Sequence, residues 1–181
     1  MNAAAQFNGF AKQELDDRLL DDLWNLYIFN ESDLHSAAYY YIRTYFSKRG
    51  SGNIFVRCEP QMRGKKPDIV VYDHSRPVYV LELKMFTEPE AINETKIEAD
   101  LAKLDGFIRS IDSLKWGFFT VVYDSDDDFN VSDSRLRRSG LNNISVVGIN
   151  LRRRESTGRR RVGYDDWRKE FDRLRTHHKK W

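Results

Sequence analysis

Two carboxylates and a lysine are spaced so that one strand end could gather them. Asp68 follows Pro67 and opens the run Asp68-Ile69-Val70-Val71-Tyr72, and Glu82, Leu83 and Lys84 close the run at residues 78–84. Side chains alternate faces along a strand, so Glu82 and Lys84 share one side. Asp68 begins the neighbouring run and can lie opposite them. Val78, Tyr79, Val80 and Leu81 mark a buried strand, and charges at the end of a buried strand are costly unless compensated. A hard divalent cation such as magnesium compensates two carboxylates, with water and substrate phosphate completing its shell. Such a cation acidifies a bound water and polarises a phosphoryl oxygen. Lys84 could orient the attacking water or offset charge growing on the phosphate. The chemistry would be hydrolysis of a phosphate ester. An ordinary salt bridge between neighbouring strands is the plainer reading of the same residues.

The elements that must position these groups follow from periodicity. Residues 12–29 carry Leu15, Leu19, Leu23 and Leu26 at helical spacing, with acids crowding the first half. Asn30, Glu31 and Ser32 read as a break and a new cap. A second helix over residues 33–46 places Leu34, Ala37, Ala38, Tyr41, Ile42 and Tyr45 on one face. Three strands follow at residues 53–58, 68–72 and 78–84, and their short connections predict an antiparallel meander. Helical spacing returns over residues 90–113, and 116–123 is a buried strand, so a parallel crossover joins the third strand to the fourth. Another strand is predicted at residues 144–151 and a last helix at 164–178, with Trp167, Phe171 and Leu174 at core spacing. The fold class is α/β: one domain over residues 1–181, its mixed central sheet flanked by helices. The core is expected over residues 31–151, with a basic extension over 152–181.

Composition narrows the function classes. The 181 residues are 40% hydrophobic, 13% aromatic and 32% charged, which suits a folded domain rather than a disordered chain. No apolar run approaches the length of a membrane helix, no signal-peptide pattern opens the chain, and a single cysteine excludes an internal disulfide. A reducing, cytoplasmic setting is expected. Cys58 reads as a core strand residue. Residues 124–128 read as a polar acidic loop, and His177 and His178 as part of the basic end. Net charge is +2, but residues 1–34 hold −5, residues 35–134 hold −3 and residues 135–181 hold +10. Arg152, Arg153 and Arg154 face Arg159, Arg160 and Arg161 across a proposed hairpin turning at Ser156, Thr157 and Gly158. Arginine forks match phosphate geometry, so nucleic acid is the expected partner. A charge-protected sheet edge is the alternative.

With this motif and this element order, the chain resembles the PD-(D/E)xK nuclease superfamily, the restriction-endonuclease-like fold. Pro67-Asp68 and Glu82-Leu83-Lys84 carry the resemblance, within an αβββαβ order over residues 31–123. The resemblance implies a Mg2+- or Mn2+-dependent endonuclease that cleaves phosphodiester bonds, most often of DNA. Asp68 and Glu82 would be metal ligands, Leu83 would offer its backbone carbonyl, and Lys84 would serve the nucleophilic water. Many members also carry a catalytic acid on the helix before the meander. Glu31 is the candidate here and Asp33 the alternative. His35 is a third, because cap-snatching RNA endonucleases of the superfamily use a helix histidine as a manganese ligand. Lys103, on the helix after the motif, would contact substrate phosphate or stand solvated. The Gln-x-x-x-Tyr motif of RecB-like members is absent. A homodimer is expected by analogy, with residues 12–29 as its interface. The rival readings are a catalytically silent nucleic-acid-binding or assembly subunit of the same fold, a cap-snatching-like RNA endonuclease, and an interaction protein whose Glu82 and Lys84 are structural.

Overall fold

The structure is a computed structural model that describes residues 3–87, 92–125, 143–152 and 163–178. Five strands form one sheet in chain order: β1 (Ile54–Cys58), β2 (Ile69–Asp73), β3 (Arg76–Phe86), β4 (Trp116–Tyr123) and β5 (Ile144–Asn150). β1, β2 and β3 are antiparallel, the meander expected from their short connections. β3 pairs with β4 in parallel, and β4 with β5 likewise, so the sheet is mixed. Helix α4 (Glu94–Ser110) lies between β3 and β4 in the chain and makes the crossover that a parallel pair requires.

Both faces of the sheet are covered, which explains why β3 and β4 are apolar without alternation. On one face lie α1 (Ala3–Gly9), a π-helical turn (Phe10–Glu14), α2 (Leu15–Trp24), α3 (Glu31–Lys48) and α5 (Tyr164–His178). They enclose a core that includes Phe7, Leu19, Ile42, Leu81, Phe118 and Phe171. On the other face α4 lays Ile97, Leu101, Leu104 and Phe107 against Val80, Phe119 and Val121. A Cβ at Gly117 would meet Ile108 Cδ1 at 3.0 Å, so the glycine lets α4 approach β4 closely. Among the described residues, no helix is long and apolar enough to cross a membrane.

α3 begins where the sequence places a cap. Asn30 Oδ1 accepts from the Asp33 N–H at 3.0 Å, and Asp33 Oδ2 accepts from the Phe29 N–H at 3.0 Å. These reciprocal bonds satisfy otherwise orphaned donors. The helix before it differs from expectation. Helical structure begins at Ala3 and stops at Trp24, so residues 25–29 are not helical. Leu26 takes φ 59°, with its N–H on the Leu23 carbonyl and the Tyr27 N–H on the Asp22 carbonyl. That is a Schellman closure with leucine where glycine is usual, so the sequence carried no stop signal.

Two further expectations are corrected. Cys58 is exposed, because it ends the edge strand β1 instead of lying in the core. Asp124 is buried beneath Arg152 and α5, not solvated in a loop. The apolar face of α2, with Leu15, Leu19 and Leu23 buried, belongs to the chain's own core. Trp167 and Phe171 of the last helix are buried, and the core takes in residues from both ends of the described chain.

Candidate active site

β2 and β3 remain paired from Asp73↔Arg76 to Ile69↔Leu81 and then part. Carried further, the same register sets Asp68 beside Glu82 and Pro67 beside Leu83. Proline has no N–H to return, so the Leu83 carbonyl loses the ladder donor that position would supply. The Leu83 N–H instead donates to Asp68 Oδ2 at 2.7 Å. The next N–H on that side of the strand, from Met85, donates to Glu31 Oε2 at 3.4 Å. Two carboxylates thus take over the edge of β3 that β2 vacates. Pro67-Asp68 is the local cause: one residue ends the ladder and the next replaces it with a side chain.

Glu82 points to the α4 side of the sheet, since Val80 packs in that core while Tyr79, Leu81 and Leu83 pack in the other. It is 2% exposed. Lys103 of α4 reaches it, Nζ to Oε2 at 2.5 Å, and lies 3.6 Å from Asp100 Oδ1. Glu82 Oε1 has no hydrogen-bond partner. Burial, and then the charge of Asp68, push the Glu82 carboxyl up to about 8 against the pull of Lys103. Burial also raises Asp68, opposed by the Leu83 N–H, His35 and Lys103. For Lys103, burial pulls the ammonium down, but Glu82 and Asp100 outweigh it and the net shift is upward.

The remaining candidates divide. Lys84 Nζ donates to Glu31 Oε1 at 3.0 Å, so the helix acid and the motif lysine meet. Asp33 is occupied in the helix cap. His35 Nε2 stands 3.4 Å from Asp68 Oδ2, an electrostatic contact without hydrogen-bond geometry, and this buried nitrogen has no other partner. Glu31, His35, Asp68, Glu82, Lys84 and Lys103 thus form one linked group at the point where β2 and β3 part. The Lys103–Glu82 contact was not foreseen. The available signal was that Leu101 and Leu104 fix which face of α4 meets the sheet, and Lys103 sits between them.

Arg152 lies elsewhere, with Nε on Asp124 Oδ1 at 2.7 Å. Arg153, Arg154, Arg159, Arg160 and Arg161, with the proposed hairpin, lie outside the described residues. Among the described residues, no three or more His, Cys, Asp or Glu side chains gather as a metal cage. Asp68 lies close enough to Glu82 for its charge to raise the Glu82 carboxyl, and it is tied to the Leu83 N–H. No protein-family model matches this chain, and no curated protein matches it.

Proposed function

We propose that this chain is a metal-dependent nuclease with a restriction-endonuclease-like core, hydrolysing phosphodiester bonds of nucleic acid, most often DNA. The observation that carries the reading is a half-buried Asp68 and a buried Glu82, with Glu82 Oε1 unpartnered, at the end of a truncated strand pair. Two carboxylates raised by burial, Glu82 further by the charge of Asp68 and Asp68 by that of Glu31, make a donor set that suits Mg2+ or Mn2+, with water and substrate supplying the other ligands. When bound, that cation would neutralise the pair and acidify a water for attack on phosphorus.

The chain's own residues have separable tasks in this reading. The Leu83 N–H fixes the Asp68 carboxylate, and the Leu83 carbonyl adds a third oxygen. Glu31 holds Lys84 at the site, where its ammonium can orient the attacking water or meet charge developing on the phosphate. The helix, antiparallel meander, crossover helix and parallel strand over residues 31–123 support the same reading.

The test is a cleavage panel. Wild type and Lys84→Ala would meet single- and double-stranded DNA and RNA with Mg2+, Mn2+ or chelator. Cleavage by the wild type alone, abolished by chelation, is the expected result. Cleavage that persists in purified Lys84→Ala would remove that residue's role. Binding without cleavage under any metal would favour a silent nucleic-acid-binding subunit.

A further inference from the structure

Lys103 stands where the proposed cation would have to exert its charge. Glu82 is 2% exposed, yet one of its oxygens is held by an ammonium from a different element and the other by nothing. Lys84 shares the Glu82 face of β3 but turns to Glu31 instead. Lys103 is therefore the ammonium in direct contact with Glu82 in this state. It also has a second place to go, since Asp100, one turn earlier on α4, lies 3.6 Å from its Nζ. The Glu82 side chain is 2% exposed and that of Asp100 is 23% exposed, so the Asp100 side is the wetter one.

We propose that Lys103 is the resident counter-ion of the site: it holds Glu82 while no metal is bound and shifts to Asp100 when a divalent cation takes the Asp68–Glu82 pair. An ammonium and a divalent cation at the same carboxylate repel strongly in a buried setting. Cation binding therefore has to displace Lys103. The lysine keeps the metal-free site folded and sets how much cation is needed to load it. Asp100 is the positioning residue that receives the displaced ammonium. This inference rests on the metal-site reading given above, and its test is built to separate the two.

The measurement is Mn2+ binding to the full-length protein by titration calorimetry, without nucleic acid. Lys103→Gln keeps a polar partner for Glu82 but removes the competing charge, and its Kd should fall roughly tenfold or more. Lys103→Arg keeps the charge and should bind no more tightly than wild type. Asp100→Asn should weaken binding in the wild-type background and have little effect beside Lys103→Gln, a coupling that a remote surface charge would not produce. Equal or weaker binding by folded Lys103→Gln overturns the counter-ion role alone. If no variant binds Mn2+, the metal-site reading falls and this inference falls with it.

Discussion

Asp16 is a carboxylate on the wrong side of its helix. It sits on α2 among Leu15, Leu19 and Leu23, 8% exposed, with Oδ1 3.3 Å from the Thr120 hydroxyl of β4 and Oδ2 unpartnered. Burial raises it from 3.8 to about 7, against the pull of the Thr120 hydrogen bond. An acid whose folded pKa is raised is more protonated in the folded than in the unfolded state. Its contribution is therefore fully present below about pH 4 and is lost as pH rises towards 7. Asp16→Asn keeps a group for Thr120 and removes the ionisation. Relative to wild type, the variant should gain on the order of 4 kcal/mol between pH 4 and pH 7 and hold that gain above it. Denaturant midpoints across pH measure this, and parallel curves for the two proteins would refute it. Residues of this kind mark a limit of sequence reading. Asp68 and Glu82 were legible because strand alternation and one turn relate them. Asp16 and Thr120 are 104 residues apart, and Lys103 meets Glu82 only because α4 packs on a particular face.

Whole elements were legible where their apolar periodicity was strong, and their partners were not. The spacing of Trp167 and Phe171 announces a helix, but not that it docks on α2 and the loop after it. In the structure Trp167 Nε1 donates to the Leu23 carbonyl at 3.2 Å, and the Phe171 ring lies 5.6 Å from that of Phe29. A polar latch fixes the other side of α5. Asp124, 4% exposed just past β4, accepts from Arg152 Nε at 2.7 Å, from Tyr164 Oη at 2.6 Å and from Arg168 Nη1 at 2.5 Å. Arg168 Nη1 also donates to the Thr87 carbonyl at 2.7 Å, which ties α5 to the segment just past β3. Asp124→Ala leaves two guanidinium groups and a hydroxyl facing a partly buried vacancy. Breaking a buried charge network from one side typically costs about 3–5 kcal/mol, and that loss of stability is expected here. Phe171→Ala should cost about as much through the cavity it leaves. Both should lower the unfolding midpoint, and a change below about 1 kcal/mol for Asp124→Ala would show the latch to be dispensable.

For the whole molecule the question is where the positive surplus of the last quarter lies. α5 does not carry it: residues 164–178 hold four basic and four acidic side chains, and Arg168–Asp172 and Arg173–Glu170 pair along the helix. The surplus belongs to Arg135, Arg137 and Arg138, the arginines at 152–154 and 159–161, and Lys179 and Lys180, against Glu155 alone. Arg152 is committed to Asp124. If the others grip a nucleic-acid backbone, each phosphate contact releases counterions and steepens the fall of affinity with salt by about 0.9 in log–log slope on duplex DNA. Replacing Arg153, Arg154, Arg159, Arg160 and Arg161 by glutamine should then weaken binding about equally for every sequence and flatten that slope. Lys169→Gln on α5 should change neither quantity, because the charge it removes is already balanced by its neighbours. If the surplus serves to offset the acidic N-terminal segment instead, the five replacements should leave the slope unchanged and lower stability most at low ionic strength, where exposed charges still act over distance. Binding isotherms at a series of salt concentrations, with an unfolding curve at each, decide between the two.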